Sequence, residues 1–329
     1  HHHIDEWWDP AIEPMLQWLL HRGRYDAFIV NYPYLSRALE LAHPRTLRIL
    51  DTHDRFSGRR EMLEQMGLAP EYFYTTADQE AKAFSRADVV WAIKGEEAEF
   101  FRTITDRPVI TMPHIDDETP MPARPAAEGS ELVLGMVGAR NTVNLRNAMQ
   151  FIDEVLPRLR RHLAPVRIRF GGGMCDLARL DPLPVGVELA GRFGAAEEFY
   201  GSVDAVLVPM TFSTGLKIKA VEAFSLGLPI IAHRHAVEGI PVSHPFHTCS
   251  SPQELARCCI DLAFDRSLLT ELREATRATY AELATNFNAA IADTVRRVVE
   301  RPAIVMALAP EAFEADHWAS QQFLETFDY

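Results

Sequence analysis

Thr211 to Gly239 reads Thr-Phe-Ser-Thr-Gly-Leu-Lys-Ile-Lys-Ala-Val-Glu-Ala-Phe-Ser-Leu-Gly-Leu-Pro-Ile-Ile-Ala-His-Arg-His-Ala-Val-Glu-Gly. The apolar run Ala205-Val206-Leu207-Val208-Pro209 ahead of it predicts a buried strand that empties into a loop ending at Gly215. A helix is expected from Leu216 to Ser225, closed by Gly227, and Pro229 opens a second apolar strand, Ile230-Ile231-Ala232. Ser213, Thr214 and Gly215 then sit where a helix N-terminus offers N–H groups without intrahelical partners, a setting that suits phosphate. Lys217 and Lys219 fall in the first turns, and Glu222, three residues beyond Lys219, shares its helix face. One end of such a helix could hold a diphosphate while Glu222 accepts hydrogen bonds from sugar or ribose hydroxyls. The plainer reading is a generic strand–loop–helix unit with a solvated Lys-Ile-Lys face, so the flanking sequence has to decide.

Strand and helix signals alternate from Tyr25 onward, which predicts an α/β fold with doubly wound parallel sheets. Four strand signals precede residue 115: Ala27–Val30, Leu47–Leu50, Ala87–Ile93 and Pro108–Ile110. Helices are expected over Tyr74–Arg86 and Glu96–Arg102. The acidic, Pro-rich run from Ile115 to Gly129 lacks periodicity and reads as a linker. Beyond it come strands at Leu132–Val137, Val166–Phe170 and Val187–Gly191, then a strand-like Phe246–Thr248. Helices are expected over Asn144–His162, Ala196–Tyr200, Ser251–Phe264 and Arg266 to about Arg297. The organisation read from these signals is a first domain over 1–114, a linker over 115–130, a second domain over 131–300 and a C-terminal segment over 301–329. The first sheet is expected to be incomplete, and the last segment to return to the first domain.

With 329 residues, 47% apolar and 24% charged, the chain is long enough for about two domains. A formal charge of −13, with no basic stripe to offset it, argues against nucleic-acid binding. The sequence contains no apolar run of membrane-spanning length. Four cysteines without metal-ligand spacing suit a reduced, cytoplasmic setting. His1-His2-His3 is left out of any metal reading, and His233, His235 and His247 form no defined ligand set. Gly171-Gly172-Gly173 reads as a flexible turn.

The 211–239 stretch resembles the donor-binding motif of glycosyltransferase family 4, retaining enzymes of the GT-B fold. Two Rossmann-like domains facing a cleft are therefore expected, the second holding a nucleotide diphosphate sugar. The resemblance extends over the second part. Gly135-Met136-Val137-Gly138 followed by Asn144 looks like the family's first strand and loop, Val187–Gly191 like the strand that ends near the base, and Asp204–Pro209 like the strand leading into the donor loop. It implies donor binding by Gly138, Arg140, Asn144, Gly191, Ser213, Thr214, Gly215, Leu216, Lys219 and Glu222. Lys219 and Glu222 also take catalytic roles. Many members carry a second Glu eight residues before the first, where this chain has Thr214. Asp51-Thr52-His53-Asp54 after a buried strand is similar to the setting of the family's active-site His, which makes His53 the first domain's catalytic candidate; the alternative is that it caps a strand end or bonds its neighbouring carboxylates. Tyr32-Pro33-Tyr34 could line the acceptor side.

The resemblance implies transfer of a hexosyl group to a glycan, lipid-linked or small-molecule acceptor. No metal or other cofactor is expected, and peripheral contact with a membrane is compatible with such acceptors. Two rivals stay open: a nucleotide-sugar epimerase of the same fold, and a degenerate scaffold that binds nucleotide sugar without turnover.

Overall fold

The structure is a computed structural model that describes residues 1–125, 130–176, 182–213 and 215–300. The expected C-terminal segment 301–329 and Thr214 lie outside the described residues. The described chain divides into two units, one comprising His1–Met112 with the residues from Ala289 to Glu300, the other Pro113–Asn288.

In the first unit four parallel strands lie in the order β1 (Ala27–Asn31), β2 (Leu47–Asp51), β3 (Val89–Ala92), β4 (Val109–Thr111). Register is continuous: Ile29 pairs with Ile49, Ile49 with Val89, and Val90 with Val109. All four residues of β3 are buried, as expected where helices cover both faces of a parallel sheet. Helices α1 (Glu13–Arg22), α2 (Arg59–Gln65), α3 (Ala77–Ser85) and α4 (Gly95–Ile104) complete this unit's first stretch. Its core gathers Val30, Leu39, Leu50, Val90, Phe84 and Phe101, the last two rings edge-to-face at 4.9 Å. The helix expected from Tyr74 begins only at Ala77. Thr75 is held extended, bridging Ser57 and donating its hydroxyl to the His2 carbonyl, so no helix can include it.

The second unit holds five parallel strands in the order β7-β6-β5-β8-β9, with β5 Leu132–Val137, β6 Val166–Gly171, β7 Val187–Gly191, β8 Ala205–Val208 and β9 Ile230–Ala232. Its helices are α5 (Thr142–Glu154), α6 (Leu156–Arg161), α7 (Ala196–Tyr200), α8 (Ile218–Ser225), α9 (Pro252–Phe264) and, as far as Asn288, α10 (Leu268–Val299), whose remainder belongs to the first unit. Leu134, Ile168, Phe170, Leu207 and Ile231 pack with Phe151, Leu159 and Leu262 into one core. The Pro-rich segment is tied to this unit: Thr119 and Met121 donate to the carbonyls of Ser225 and Leu226, and Arg124 makes a two-bond pair with Asp204 at 2.8 and 2.9 Å. Asp204 also accepts the Val133 N–H. Burial alone would raise its pKa, but the Arg124 bonds outweigh that and hold the carboxyl below its usual range.

Three expectations are corrected here. The single helix over 144–162 is two, because Pro157 in the first turn of α6 has no N–H to continue the ladder of α5. Phe246–Thr248 is not a strand. Pro245 starts a one-turn 3-10 helix, Pro245–His247, and only Cys249 bridges to His233 beside β9. The helix expected from Leu216 begins at Ile218. Among the described residues, no helix is long and apolar enough to cross a membrane.

Candidate functional site

In a parallel sheet ordered β7-β6-β5-β8-β9 the strand order reverses between β5 and β8, one connection leading to each side. Loops after these two strands part there and leave a crevice at their carboxyl ends, the usual place for ligands in open α/β sheets. The loop after β5 runs Gly138-Ala139-Arg140-Asn141 and enters α5, where Asn141 caps the helix by accepting the Asn144 N–H at 2.8 Å. The loop after β8 carries Ser213, Gly215 and Leu216 and enters α8. The two sides meet where Lys219 Nζ donates to Asn144 Oδ1 at 2.6 Å. Met136 and Val137 from β5, Pro209 and Met210 after β8, and Asn147 line the small hollow beside that contact.

Asn147, one turn beyond Asn144, stitches the same loops together. Its Oδ1 accepts the Thr211 N–H at 2.8 Å, and its amide nitrogen reaches the Phe212 carbonyl at 3.4 Å. An Asn-x-x-Asn spacing at the start of a helix places both amides on one face, and that pattern was available as a signal.

The Gly171–Gly173 turn, expected to be merely flexible, packs directly on the first loop. Gly172 has φ +85°, and a Cβ there would stand 2.6 Å from the Gly138 carbonyl oxygen. A Cβ on Gly138 would meet Met174 Sδ at 2.8 Å and Asn144 Cγ at 3.0 Å. Only glycine permits this approach of two backbones at the strand ends. Gly172 N–H donates to the carbonyl of Gly191 at 2.8 Å, so the ends of β5, β6 and β7 share one rim. Arg140 is exposed on it, and its charge helps to lower the pKa of Asp176, after the Arg192 hydrogen bond to that carboxylate.

With α8 starting at Ile218, the capping position is Lys217, not Gly215. Lys217 is buried and donates to the Gly215 carbonyl at 2.5 Å, folding the loop back on itself. Lys219 is only partly exposed; burial first, then the Lys217 charge, brings its pKa down to about 8. Glu222 lies one turn further and accepts the Tyr200 hydroxyl at 2.6 Å. Burial and the Glu222 carboxylate push the Tyr200 phenol well above its ordinary range.

The sequence reading left His235 unassigned. Its Nε2 lies 3.3 Å from Ser213 Oγ and 3.2 Å from the Ser213 carbonyl, and its Nδ1 2.9 Å from Glu238 Oε1. The turn after β9 thereby grips the loop before α8 through an imidazole held by a carboxylate. His247, also unassigned, is fully buried against Phe224 of α8, and burial lowers its pKa to about 4.

His53 belongs to the first unit. It follows β2 with φ 56°, its Nε2 is 3.3 Å from Asp51 Oδ2, and its ring stacks on Tyr32 at 4.6 Å. Tyr32 (φ 70°) and Tyr72 (φ 64°) share the left-handed region with it. Three of the four such non-glycine residues among those described therefore sit in one aromatic group. Each costs about 1–3 kcal/mol and persists only where its surroundings over-determine it. Among the described residues, no group of three or more His, Cys, Asp or Glu side chains is placed to hold a metal ion.

Residues 131–265 match the family described as Glycosyl transferases group 1. That span runs from the start of β5 to the end of α9 and so contains both loops of the crevice and the whole stretch from Thr211 to Gly239. The structure is similar to that of TarM, with TM-score 0.64 and 11% identity over 86% of this chain and 57% of that one. It is similar to the pneumococcal O-GlcNAc transferase GtfA in complex with UDP and GlcNAc, with TM-score 0.57 and 13% identity over 88% and 60%. For HepE from Anabaena in complex with UDP the values are 0.58 and 16% over 90% and 84%. The chain spans less than two thirds of the TarM and GtfA chains. These likenesses place the two α/β units in the GT-B fold class. No curated protein matches the chain by sequence.

Proposed function

We propose that the protein transfers a glycosyl group, of hexosyl type, from a nucleotide diphosphate sugar to a glycan, lipid-linked or small-molecule acceptor, with retention at the anomeric carbon. The observation that carries the reading is the Lys219–Asn144 contact at the switch point of the second sheet, bordered by the glycine rim of Gly138 and Gly172 and by the Ser213–Leu216 loop. An ammonium brought to the carboxyl ends of β5 and β8 serves a dianionic ligand; an apolar ligand would leave it without a counter-charge. The match of 131–265 to a glycosyl transferase family and the UDP bound by GtfA and HepE support a nucleotide sugar as that ligand.

In this reading Lys219, Arg140 and the amides around Gly215 neutralise charge that grows on the departing diphosphate, the largest single source of rate in such reactions. Glu222, already an acceptor for Tyr200, holds a ribose or sugar hydroxyl with its second oxygen. His53 is the first unit's contribution to the reaction. No metal is required, and a cytoplasmic location with peripheral contact to a membrane suits the donor and acceptor classes.

Thermal melting with UDP, GDP, ADP, TDP and CMP tests the donor site, because a ligand that binds only the native state raises its stability. One nucleotide diphosphate should raise the midpoint; five flat responses would remove the reading. With the base identified, proton NMR of the product from the matching nucleotide sugar reads the anomeric outcome. Conversion of the donor without any acceptor would mark an epimerase instead.

A further inference from the structure

The first unit presents an aromatic surface that its core does not require. Trp7 is 39% exposed and Tyr72 50% exposed, while Tyr34, Phe56 and Phe73 behind them are buried. Trp7 meets Tyr72 edge-on at 5.2 Å, and the Tyr34 and Tyr72 hydroxyls share a hydrogen bond at 2.5 Å. Tyr32 stacks on Tyr34 at 5.2 Å and 9°, and His53 on the other flank at 4.6 Å. A histidine–carboxylate contact and an ion pair border the rings. Asp51 faces His53 beside Tyr32, and Asp54 takes Arg59 Nη1 at 3.0 Å, with the guanidinium 5.5 Å from the Tyr72 ring centre. The three left-handed residues Tyr32, His53 and Tyr72 are all members of this group, so the backbone is held in costly conformations to present these side chains.

We infer that Trp7, Tyr72 and Tyr32, flanked by Asp51 and Asp54, form a platform on which a pyranose ring of a saccharide acceptor stacks. A pyranose offers an apolar C–H face to an aromatic ring and hydroxyls at its edge to carboxylates, and both kinds of partner border this surface. A purely apolar occupant would strip water from Asp51, Asp54 and the phenols without replacing their hydrogen bonds. A nucleic-acid base could stack equally well, but its phosphates would meet two carboxylates on a chain of net charge −13. The proposal rests on the glycosyl-transfer reading and narrows its acceptor to a saccharide.

The test is binding of the full chain to an array of immobilised mono- to tetrasaccharides, with unglycosylated peptides on the same array. Nucleotide-induced melting shifts are measured in parallel. Expected is retention of a subset of glycans, weakened about tenfold or more in Trp7→Ala and Tyr72→Ala and largely restored in Trp7→Phe, with the nucleotide shift unchanged throughout. Saturation-transfer NMR on the unaltered protein, irradiating aromatic protons, gives a second reading that no folding defect can confound. The C–H protons of one face of the bound glycan should respond most. Absence of glycan binding, equal binding by both alanine variants, preference for the bare peptides, or even saturation over the whole glycan would each overturn the platform. If the nucleotide shift persists while glycan binding is absent, only this inference falls; if both are absent, the donor reading falls with it.

Discussion

Lys219→Met should make the protein more stable at neutral pH while removing nucleotide binding. Lys219 has its pKa drawn from 10.5 to about 8, chiefly by burial and then by Lys217. A shift of about 2.5 units corresponds to roughly 3.4 kcal/mol by which the native state disfavours the ammonium. The sign follows from proton counting. Below about pH 8 both native and unfolded chains carry the proton, so the native state bears the full cost. As pH rises from 8 to 10.5 the native lysine deprotonates first, the unfolded chain binds more protons, and the cost disappears. Methionine keeps the aliphatic length without the charge but loses the 2.6 Å bond to Asn144, a loss of roughly 1.5 kcal/mol or more. Lys219 is also only partly buried, so the net gain expected for Lys219→Met is about 1–2 kcal/mol at pH 7, reversing to a net loss of about 1 kcal/mol by about pH 10.5, where only the lost bond to Asn144 remains. Urea unfolding of parent and variant at pH 7, 8.5 and 10 reads the stability gap, and melting with the cognate nucleotide diphosphate reads the site. The same ammonium should recover its proton when a diphosphate binds, so parent affinity should fall about tenfold between pH 7 and pH 9. A variant less stable than the parent at pH 7, or one that still binds nucleotide, would show that Lys219 is a structural residue and refute the assignment.

Glu222→Gln keeps an acceptor for Tyr200 but removes the charge, so nucleotide-sugar affinity should drop about tenfold with the melting midpoint nearly unchanged; equal affinity by calorimetry would take Glu222 out of the site. Between pH 6.5 and 4 the native state should lose stability because His247, held near pKa 4, resists the proton that the unfolded chain accepts. From pH 7 to pH 5 that amounts to roughly 2 kcal/mol, and His247→Leu should flatten that part of a urea-midpoint profile. Transfer activity, once a donor and acceptor are matched, should persist in EDTA; its loss with chelator and recovery with manganese or magnesium would place a metal on the diphosphate.

The elements of both sheets were legible because parallel strands buried on both faces leave continuous apolar runs, as Val89–Ala92 and Ala205–Val208 do. Helix starts were less legible, because they depend on which polar groups cap them. Gly215 looks like the turn that opens α8, yet the buried Lys217 ammonium reaches back to its carbonyl and moves the first helical residue to Ile218. Whether a lysine turns inward to a carbonyl or outward to water is not written in its neighbours' hydropathy. The same limit hid the grip of His235 on Ser213, since 22 residues and a strand separate the partners and only the parallel register of β8 and β9 brings them together. It also hid the role of the glycine triplet. Gly171–Gly173 could be a loose turn in isolation; what makes the residue type necessary is the Gly138 carbonyl lying 2.6 Å from where a Gly172 Cβ would stand, and that neighbour comes from another strand. Sequence thus reports which strand ends carry chemistry, while the pairing of one strand end with the next decides which residues there can act together. Asn144 and Lys219 exemplify it: 75 residues apart and each marked in the sequence only by resemblance, they form one candidate diphosphate site because the strand order reverses between the strands that precede them.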